Sequence, residues 1–510
     1  MMSSALLRQY LYPLLIPFTF CILLLFKWLL SPSTTQKHHH PPPSPPRLPI
    51  LGNLHQIGSR PHSSLANLSR KHGPLMLLRL GRVPVLVVSS ADAAREIMKT
   101  HDLIFANRPK SKIFEKLVYD YKDVSMAPYG EYWRQMKSVF VLQLLSNKRV
   151  QSFRPVREEE VANLITDIEG LLSSASPTTV NLGERFAALT NDVVCRVALG
   201  RKYGGKRFKA ILMEFVELLG ALSFGDYIPW LAWVDRVSGL DERLDKVAKE
   251  LDGFLDEVVE EHVEKRMNCE GGVDVQEGKE DFVDILLSIQ KDSSVGFSID
   301  KITIKALILD AFAAGTDTTY TALEWAMTEL LRHPNAMRQA QAEVRRIAGH
   351  KSSITEEDLD QMCYLKAVIK ETLRSHPPIP LLIPRESTQD TKVMGYDVVA
   401  RTRVIVNAWA IGRDPSLWDS PDEFRPERFL NSSINFKGHD FELIPFGAGR
   451  RGCPGIAFSI AVDELVLANL LHKFDWRLPD GVGQLDMTES TGLTIHKKFP
   501  LIASAAIATP

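Results

Sequence analysis

The stretch PFGAGRRGCPG, from Pro445 to Gly455, sets one cysteine among glycines and arginines. Its middle, GAGRRG, also spells the glycine pattern GxGxxG, so the loop could cradle a pyrophosphate or present a thiolate to a metal. A dinucleotide turn should open an early strand–turn–helix unit and be followed by an acid about 20 residues on, at the end of the next strand. Here the nearest acids, Asp463 and Glu464, fall inside the helical run itself, close to the end of the chain. The metal reading uses more of the residues. Gly447, Gly449, Gly452 and Gly455 let backbone amides approach the sulfur, Arg450 and Arg451 favour anions, and a helix starting near Pro454 points its positive end at Cys453. Each effect lowers a thiol pKa. A lone thiolate without neighbouring His or Cys cannot build a zinc site, but it suffices as the single protein ligand of a haem iron.

Three further groups of residues carry chemistry. AGTDTT, Ala314 to Thr319, interrupts a long helical pattern from Ser298 to Arg332. Glycine and threonine cost stability there and invite a local distortion, leaving a notch beside an acid and an alcohol, Asp317 and Thr318. The plain alternative is that Thr316 or Asp317 caps a second helix. KETLR, Lys370 to Arg374, places Glu371 and Arg374 on one helical face, either as an ordinary surface ion pair or as a buried pair supported by Arg428 of EFRPERF. EYWRQMK, Glu131 to Lys137, sets Trp133 and Lys137 four apart, able to offer an indole N–H and an ammonium to one anion, or simply to pack an aromatic ring over a lysine stem.

The elements that position these groups read as mainly α with a minor antiparallel β-sheet region. PLMLLRLGRVPVLVVSS, Pro74 to Ser90, reads as two short strands broken at Gly81, followed by a helix over Ala91–Thr100. Helical periodicity dominates from Glu131 to Lys291, and GGVDVQEGKE, Gly271 to Glu280, reads as a surface loop. With 510 residues, 45% hydrophobic and 24% charged, the chain buries a large core; no internal repeat divides it. A net charge of −1 with dispersed Lys and Arg gives no footprint for nucleic acid. Cys21, Cys195, Cys269, Cys363 and Cys453 form no CxxC pair, which fits a reducing compartment.

Leu11 to Leu30 gives about 20 mostly apolar residues, enough to span a bilayer. HHHPPPSPPRLPILGN, His38 to Asn53, then forms a stiff proline spacer. Lys27, Lys37 and Arg47 at or beyond the far end place the bulk of the chain in the cytosol. The expected organisation is a membrane anchor over 1–30, a hinge over 31–60 and one catalytic domain over 61–510. A cleaved signal peptide is the rival for the first segment.

Together these motifs resemble the cytochrome P-450 superfamily. The haem signature FGxGxRxCxG is met by Phe446, Gly447, Gly449, Arg451, Cys453 and Gly455, the ExxR pair by Glu371 and Arg374, the PERF segment by Pro426 to Phe429, and the oxygen-binding helix motif by AGTDTT. The anchor, the proline hinge and the phrase KETLRSHPP resemble membrane-bound plant A-type monooxygenases of specialised metabolism. The resemblance implies the cytochrome P-450 fold behind an N-terminal transmembrane helix, with haem b (iron protoporphyrin IX) held through Cys453. It also implies that Trp133, Lys137, Arg385 and Arg451 meet the haem propionates beside Phe446. Glu371, Arg374 and Arg428 become a buried charge network, and Asp317 and Thr318 an acid–alcohol pair relaying protons to dioxygen. Lys137 stands where many relatives carry arginine.

The same resemblance implies O2 and a lipophilic small molecule, terpenoid or phenolic of the coumarin type, as substrates, with electrons from NADPH through a separate NADPH-cytochrome P-450 reductase. It implies an endoplasmic reticulum membrane protein, single-pass, with a cytosolic catalytic domain. Pocket walls are expected from Leu309, Ala313, Ala314, Ile379, Leu381, Leu382 and Leu493, with the Ser111–Ala127 loop nearby. The apolar, Trp-bearing stretch Leu218–Asp235 either contacts membrane lipid at a substrate entrance or packs as an ordinary helix. A haem-thiolate isomerase or dehydratase and a non-catalytic haem protein are the rival functions. Deleting residues 1–30 should release the protein from membranes in a fractionation assay; persistent association would assign anchoring to the Leu218–Asp235 stretch.

Overall fold

The computed structural model describes residues 17, 19–23, 40–174, 179–203, 206–269, 280–292 and 297–508. Most of the expected Leu11–Leu30 span and of the Gly271–Glu280 loop lies outside these residues. Among the described residues no helix is long and apolar enough to cross a membrane.

Two antiparallel strands, β1 (Leu75–Leu80) and β2 (Val83–Val88), turn at Gly81 with Leu77 opposite Leu86. Helices follow at α1 (Glu131–Ser138), α2 (Arg154–Ser174), then strand β3 (Thr179–Asn181), α3 (Leu182–Leu199), α4 (Lys206–Leu219), α5 (Leu240–Cys269) and α6 (Phe282–Lys291). The second half supplies α7 (Lys301–Arg332), α8 (Pro334–Ala348), α9 (Cys363–Ser375), strands β4 (Arg385–Glu386) and β5 (Arg403–Val406), α10 (Ile456–Lys473), and strands β6 (Phe474–Arg477) and β7 (Ile502–Ile507).

The molecule is mainly helical with small sheets. The sequence led us to expect purely antiparallel pairing, but one four-stranded sheet runs β1-β2-β5-β4 with β2 and β5 parallel. The long chain between them is free to return in either direction, and both faces of the pair are covered, Leu86, Val88, Val404 and Val406 in one apolar cluster and Val85, Val87 and Ile405 in another. A three-stranded sheet runs β3-β7-β6.

Helix α7 is the central element. Its apolar residues lie on nearly every side, as expected of a helix buried within others rather than at a surface. The Asp300 side chain accepts the Thr303 amide at 2.7 Å to start it, and His333 followed by Pro334 ends it. The expected break at AGTDTT is absent: α7 runs helically from Lys301 to Arg332, which removes the two-helix alternative. Two threonine hydroxyls bond back within the helix, Thr318 donating to Ala314 O at 2.6 Å and Thr321 to Asp317 O at 2.7 Å, while Thr319 meets Ser459 of α10 at 3.4 Å and the buried Thr316 hydroxyl has no partner within the protein. Gly315 serves packing instead, since a Cβ there would sit 3.1 Å from Val194 of α3.

The proline run, expected as a free-standing spacer, is laid along the domain. Pro43 O accepts the Leu77 amide of β1 at 2.8 Å, His40 O accepts the Asp397 amide at 2.8 Å, and Pro42 and Pro45 are buried. Proline cannot donate to an edge strand but can accept from one, so a PPII segment covers β1 without extending the sheet.

A buried charge network ties α9 to the irregular segment that leads to Cys453. Arg374 grips Glu371 with both Nε (2.7 Å) and Nη2 (2.8 Å), Arg428 Nε reaches the same carboxylate at 3.0 Å, and the Arg425 amide adds a fourth bond at 2.8 Å. The spare guanidinium donors go to the carbonyls of Gly412, Pro421 and Glu423. Glu371 and Arg374 are fully excluded from solvent, so either alone would be an uncompensated buried charge. Replacing Arg374 by Leu should therefore cost about 3–5 kcal/mol and abolish soluble folded protein, read by expression yield and thermal melting. A stable Arg374→Leu variant would show that the network is not needed for folding.

Candidate active site

The Cys453 loop is built by backbone turns that only glycine tolerates at two points. Gly447 (φ +67°) and Gly449 (φ +68°) adopt left-handed conformations, and a Cβ on Gly449 would lie 2.2 Å from Met98 O. The Cys453 amide donates to Phe446 O at 3.0 Å and the Gly452 amide to Gly449 O at 3.0 Å, closing the loop on itself. Phe446 is held by an edge-on contact with Phe436 (5.6 Å between centroids), which relays the position of the segment anchored by the charge network.

This loop forms one wall of a cavity of about 240 Å³, open to the centre of a water-sized sphere. The walls are mostly apolar. Cys453, Phe446 and Gly447 lie on one side; Asp310, Ala311, Ala314, Gly315, Thr318 and Thr319 of α7 face it. Trp133 and Lys137 of α1, Arg385 of β4, Arg451 and Arg108 complete the polar rim, with Ile379 and Leu382 beside them. The Ser111–Ala127 loop contributes Val124 and Ser125.

Several expected residues are elsewhere. Leu309 and Ala313 turn from the cavity because each residue advances a helix by about 100°, so a wall takes residues spaced three and four apart rather than a consecutive run. Leu381 packs on the cluster around β1 and β2, since Leu382 (φ +51°) reverses the chain between them. Leu493 runs against Gly220 at the end of α4, where a Cβ on Gly220 would meet its amide nitrogen at 2.4 Å. Asp317 and Thr318 do not face one notch: Thr318 lines the cavity, whereas Asp317 is buried behind it beside Thr494 and His496, with Oδ2 lacking a partner within the protein.

The electrostatics also differ from expectation. Arg451 is turned from the sulfur and donates to Ala106 O (2.7 Å), Val124 O (3.2 Å) and Ala127 O (2.5 Å), stacked over Trp133 at 4.3 Å. Arg450 points outward to Asp102, and α10 begins at Ile456 rather than Pro454. Cys453 exposes its surface to the cavity while lying far from bulk solvent, so burial pushes its thiol up, opposed by the Gly455 amide at 3.4 Å and the Lys137 charge. Lys137 donates to Gly452 O at 3.0 Å, Arg385 to Ala448 O at 2.7 Å, and Trp133 Nε1 to Val124 O at 3.0 Å.

Arg108, which sequence reasoning passed over, lies buried on the same rim and donates to Ser125 O (2.9 Å), Ile383 O (2.7 Å) and Pro384 O (2.8 Å). An arginine between the apolar pair Phe105–Ala106 and Pro109 was the available signal. Burial lowers the pKa of all four cations, and repulsion from neighbouring arginines adds to it for Lys137, which falls to about 8, for Arg451, which falls to about 9, and for Arg108, which falls well below its usual range. A single thiol facing the cavity, beside four such cations, is the donor set for a metal-centred cofactor bearing two carboxylates. Haem fits it.

The chain matches the Cytochrome P450 family over residues 42–502 and belongs to that family, as a haem-thiolate monooxygenase of the plant type. It is 60% identical over 513 residues to cytochrome P450 736A117 of Prunus mume, covering 99% of this chain and 97% of that protein. It is 52% identical over 501 residues to norfluorocurarine oxidase of a Strychnos species, covering 96% and 97%. A solved zebra fish cytochrome P450 with abiraterone superposes with a TM-score of 0.73 at 26% identity, covering 89% of this chain and 100% of that one. Members of the family act with a substrate, O2 and a reductase partner.

The depressed Lys137 has a pH consequence for haem-free protein. Below pH 8 folded and unfolded chains both carry the proton and the fold bears the burial penalty; between pH 8 and the ordinary lysine range only the unfolded chain keeps it. Stability should rise with pH across that window, by about 3 kcal/mol from this group. Urea unfolding should find Lys137→Met more stable than wild type at pH 7, the gap closing by pH 10; a pH-independent gap would contradict the assignment.

Proposed function

We propose that this monooxygenase oxidises a lipophilic, specialised-metabolite-type small molecule, terpenoid or phenolic, in the cavity between α7 and the Cys453 loop. The observation that carries the reading is one cavity with mostly apolar walls that is lined by a single thiol, by a threonine of α7 and by four cations. Cys453 would hold the haem iron, and Trp133, Lys137, Arg385, Arg451 and Arg108 the haem carboxylates. Bound haem supplies the activation of dioxygen that side chains alone cannot perform.

The protein contributes position and protons. Phe446 and the glycines hold the sulfur; Ala311, Ala314, Ile379 and Leu382 hold substrate and exclude water. Thr318 is the proton donor facing the cavity. Its hydroxyl donates to Ala314 O at 2.6 Å, and Asp317, whose carboxyl is pushed up by burial, stands behind it as the proton store. Glu371, Arg374 and Arg428 act on folding rather than on substrate.

The electron donor is an NADPH-cytochrome P-450 reductase, and the location the endoplasmic reticulum membrane, with residues 1–30 as a single-pass anchor and a cytosolic catalytic domain against which the proline segment from residue 40 is already packed. A second membrane contact is supported by adjacent exposed apolar residues: Leu48, Ile50 and Leu51, whose Leu51 O accepts the Gly81 amide, and Trp230 and Trp233, joined to the same turn by Arg82 N donating to Tyr227 O at 2.9 Å. A cavity-facing threonine also disfavours the isomerase and carrier alternatives, neither of which needs delivered protons.

Reconstituted with a reductase and a lipophilic substrate, the protein should consume O2 in an NADPH-dependent way and form an oxygenated product. Thr318→Ala should retain haem but divert most of the NADPH to peroxide, a loss of about tenfold or more in product per NADPH. Unchanged coupling in that variant would remove the proton role from Thr318, and substrate conversion without NADPH or O2 would favour isomerase chemistry.

A further inference from the structure

The polar groups on the cavity wall are nearly all accounted for. Cys453, Trp133, Lys137, Arg108, Arg385 and Arg451 belong to the haem, Thr318 to proton delivery, and Thr319 and Ser459 face each other at 3.4 Å. Asp310 and Ser125 remain. Asp310 is a carboxyl on the cavity face of α7, one turn before Ala314 and two before Thr318, in a run that is otherwise apolar: ALILDAFAAG. Its Oδ2 accepts the Val124 amide at 2.5 Å, which fixes it against the loop opposite. Ser125 is turned to Asp123, a fully buried carboxylate that also accepts the Met126 amide at 2.8 Å and leaves its Oδ1 without a partner.

Two carboxyls buried this close do not both ionise. Burial raises both carboxyls and hydrogen bonds from the loop oppose it at both, but Asp123 has the Arg108 charge beside it, whereas at Asp310 the Asp123 charge adds to burial and drives it well above the usual carboxylate range. Asp310 therefore sits on the wall as a neutral acid able both to donate and to accept. A polar group of this kind in an apolar pocket is costly unless the ligand satisfies it. As a neutral acid Asp310 offers a cation no counter-charge, so the group that satisfies it best is an uncharged one that can hydrogen-bond.

We propose that Asp310, set by the Val124 amide, recognises a hydroxyl group on an otherwise apolar substrate and so fixes which end of the molecule faces the haem. The inference rests on the reading of this cavity as the haem and substrate site. It makes the enzyme selective for substrates already carrying a hydroxyl, and hence places it after a hydroxyl-forming reaction.

The test uses three probes on one skeleton, p-menthane, menthol and the trimethylammonium analogue of menthol, which cannot ligate iron. Binding to haem-loaded wild type, Asp310→Asn and Asp310→Leu is measured by equilibrium dialysis, after the reduced carbon monoxide spectrum has shown the haem-thiolate site in each. Wild type should bind menthol at least as tightly as p-menthane despite the better hydration of the alcohol, and about tenfold more tightly than the ammonium. Asp310→Leu should lower the menthol-to-menthane affinity ratio about tenfold, menthol binding more weakly and p-menthane as tightly or more tightly, and Asp310→Asn should largely keep the ratio. A ratio unchanged within about threefold in Asp310→Leu overturns the inference. So does an ammonium probe that binds wild type as tightly as menthol, a result open even if Asp310→Leu does not take up haem. No haem-thiolate spectrum in wild type, or no binding of any probe to haem-loaded protein, would instead overturn the underlying site.

Discussion

Lys137, Arg108, Arg385 and Arg451 stand on the rim of one cavity, each with its pKa pushed down by burial and three of them further by neighbouring arginines, with Asp102 and Asp123 as counter-charges. Such an arrangement stores unfavourable energy that only a further anion inside the cavity can release. Cys453, opposite, has the complementary difficulty: burial favours the neutral thiol unless a cation approaches the sulfur. A cofactor with a cationic metal at its centre and carboxylates at its edge answers both at once. The rest of the fold is arranged around that demand.

The sulfur must be held at a fixed height above one side of the cavity, and a loop with two left-handed glycines has little rigidity of its own. Rigidity comes from outside it. Met98 O and Asp102 press on the loop from the N-terminal part of the chain, while Phe436 transmits the anchorage of the Glu371–Arg374–Arg428 network through Phe446. Helix α7 packs on α3, with Gly315 allowing the approach to Val194, and brings Thr318 to the wall of the cavity that Cys453 also lines. Buried networks of this kind add little net stability over an apolar core, yet they fix one geometry.

What the sequence made legible was chemistry tied to local spacing. The glycine-bounded cysteine, the Glu371–Arg374 pair three residues apart, the break between strands at Gly81 and the helices on either side all follow from short-range rules. Direction was harder to read. Periodicity marks α7 as helix but not which stripe meets the cavity, so Leu309 and Ala313 were expected on a wall built by Asp310, Ala311, Ala314 and Gly315. Arg451 was expected to support the sulfur, and carbonyls from residues 106, 124 and 127, far away in sequence, took its donors instead. A positive φ at Leu382, a non-glycine residue, separates Leu381 from its neighbours and leaves no mark in composition.

The central claim is that Cys453 is the sole protein ligand of the haem iron. The most direct measurement is the carbon monoxide difference spectrum of the reduced protein, taken beside that of Cys453→His, because the Soret position reports the ligand opposite the gas. The account predicts a strongly red-shifted band in wild type, lost or moved to the position of an imidazole-ligated haem in the variant. The same band in both proteins, or none from folded wild type with haem supplied, would contradict it.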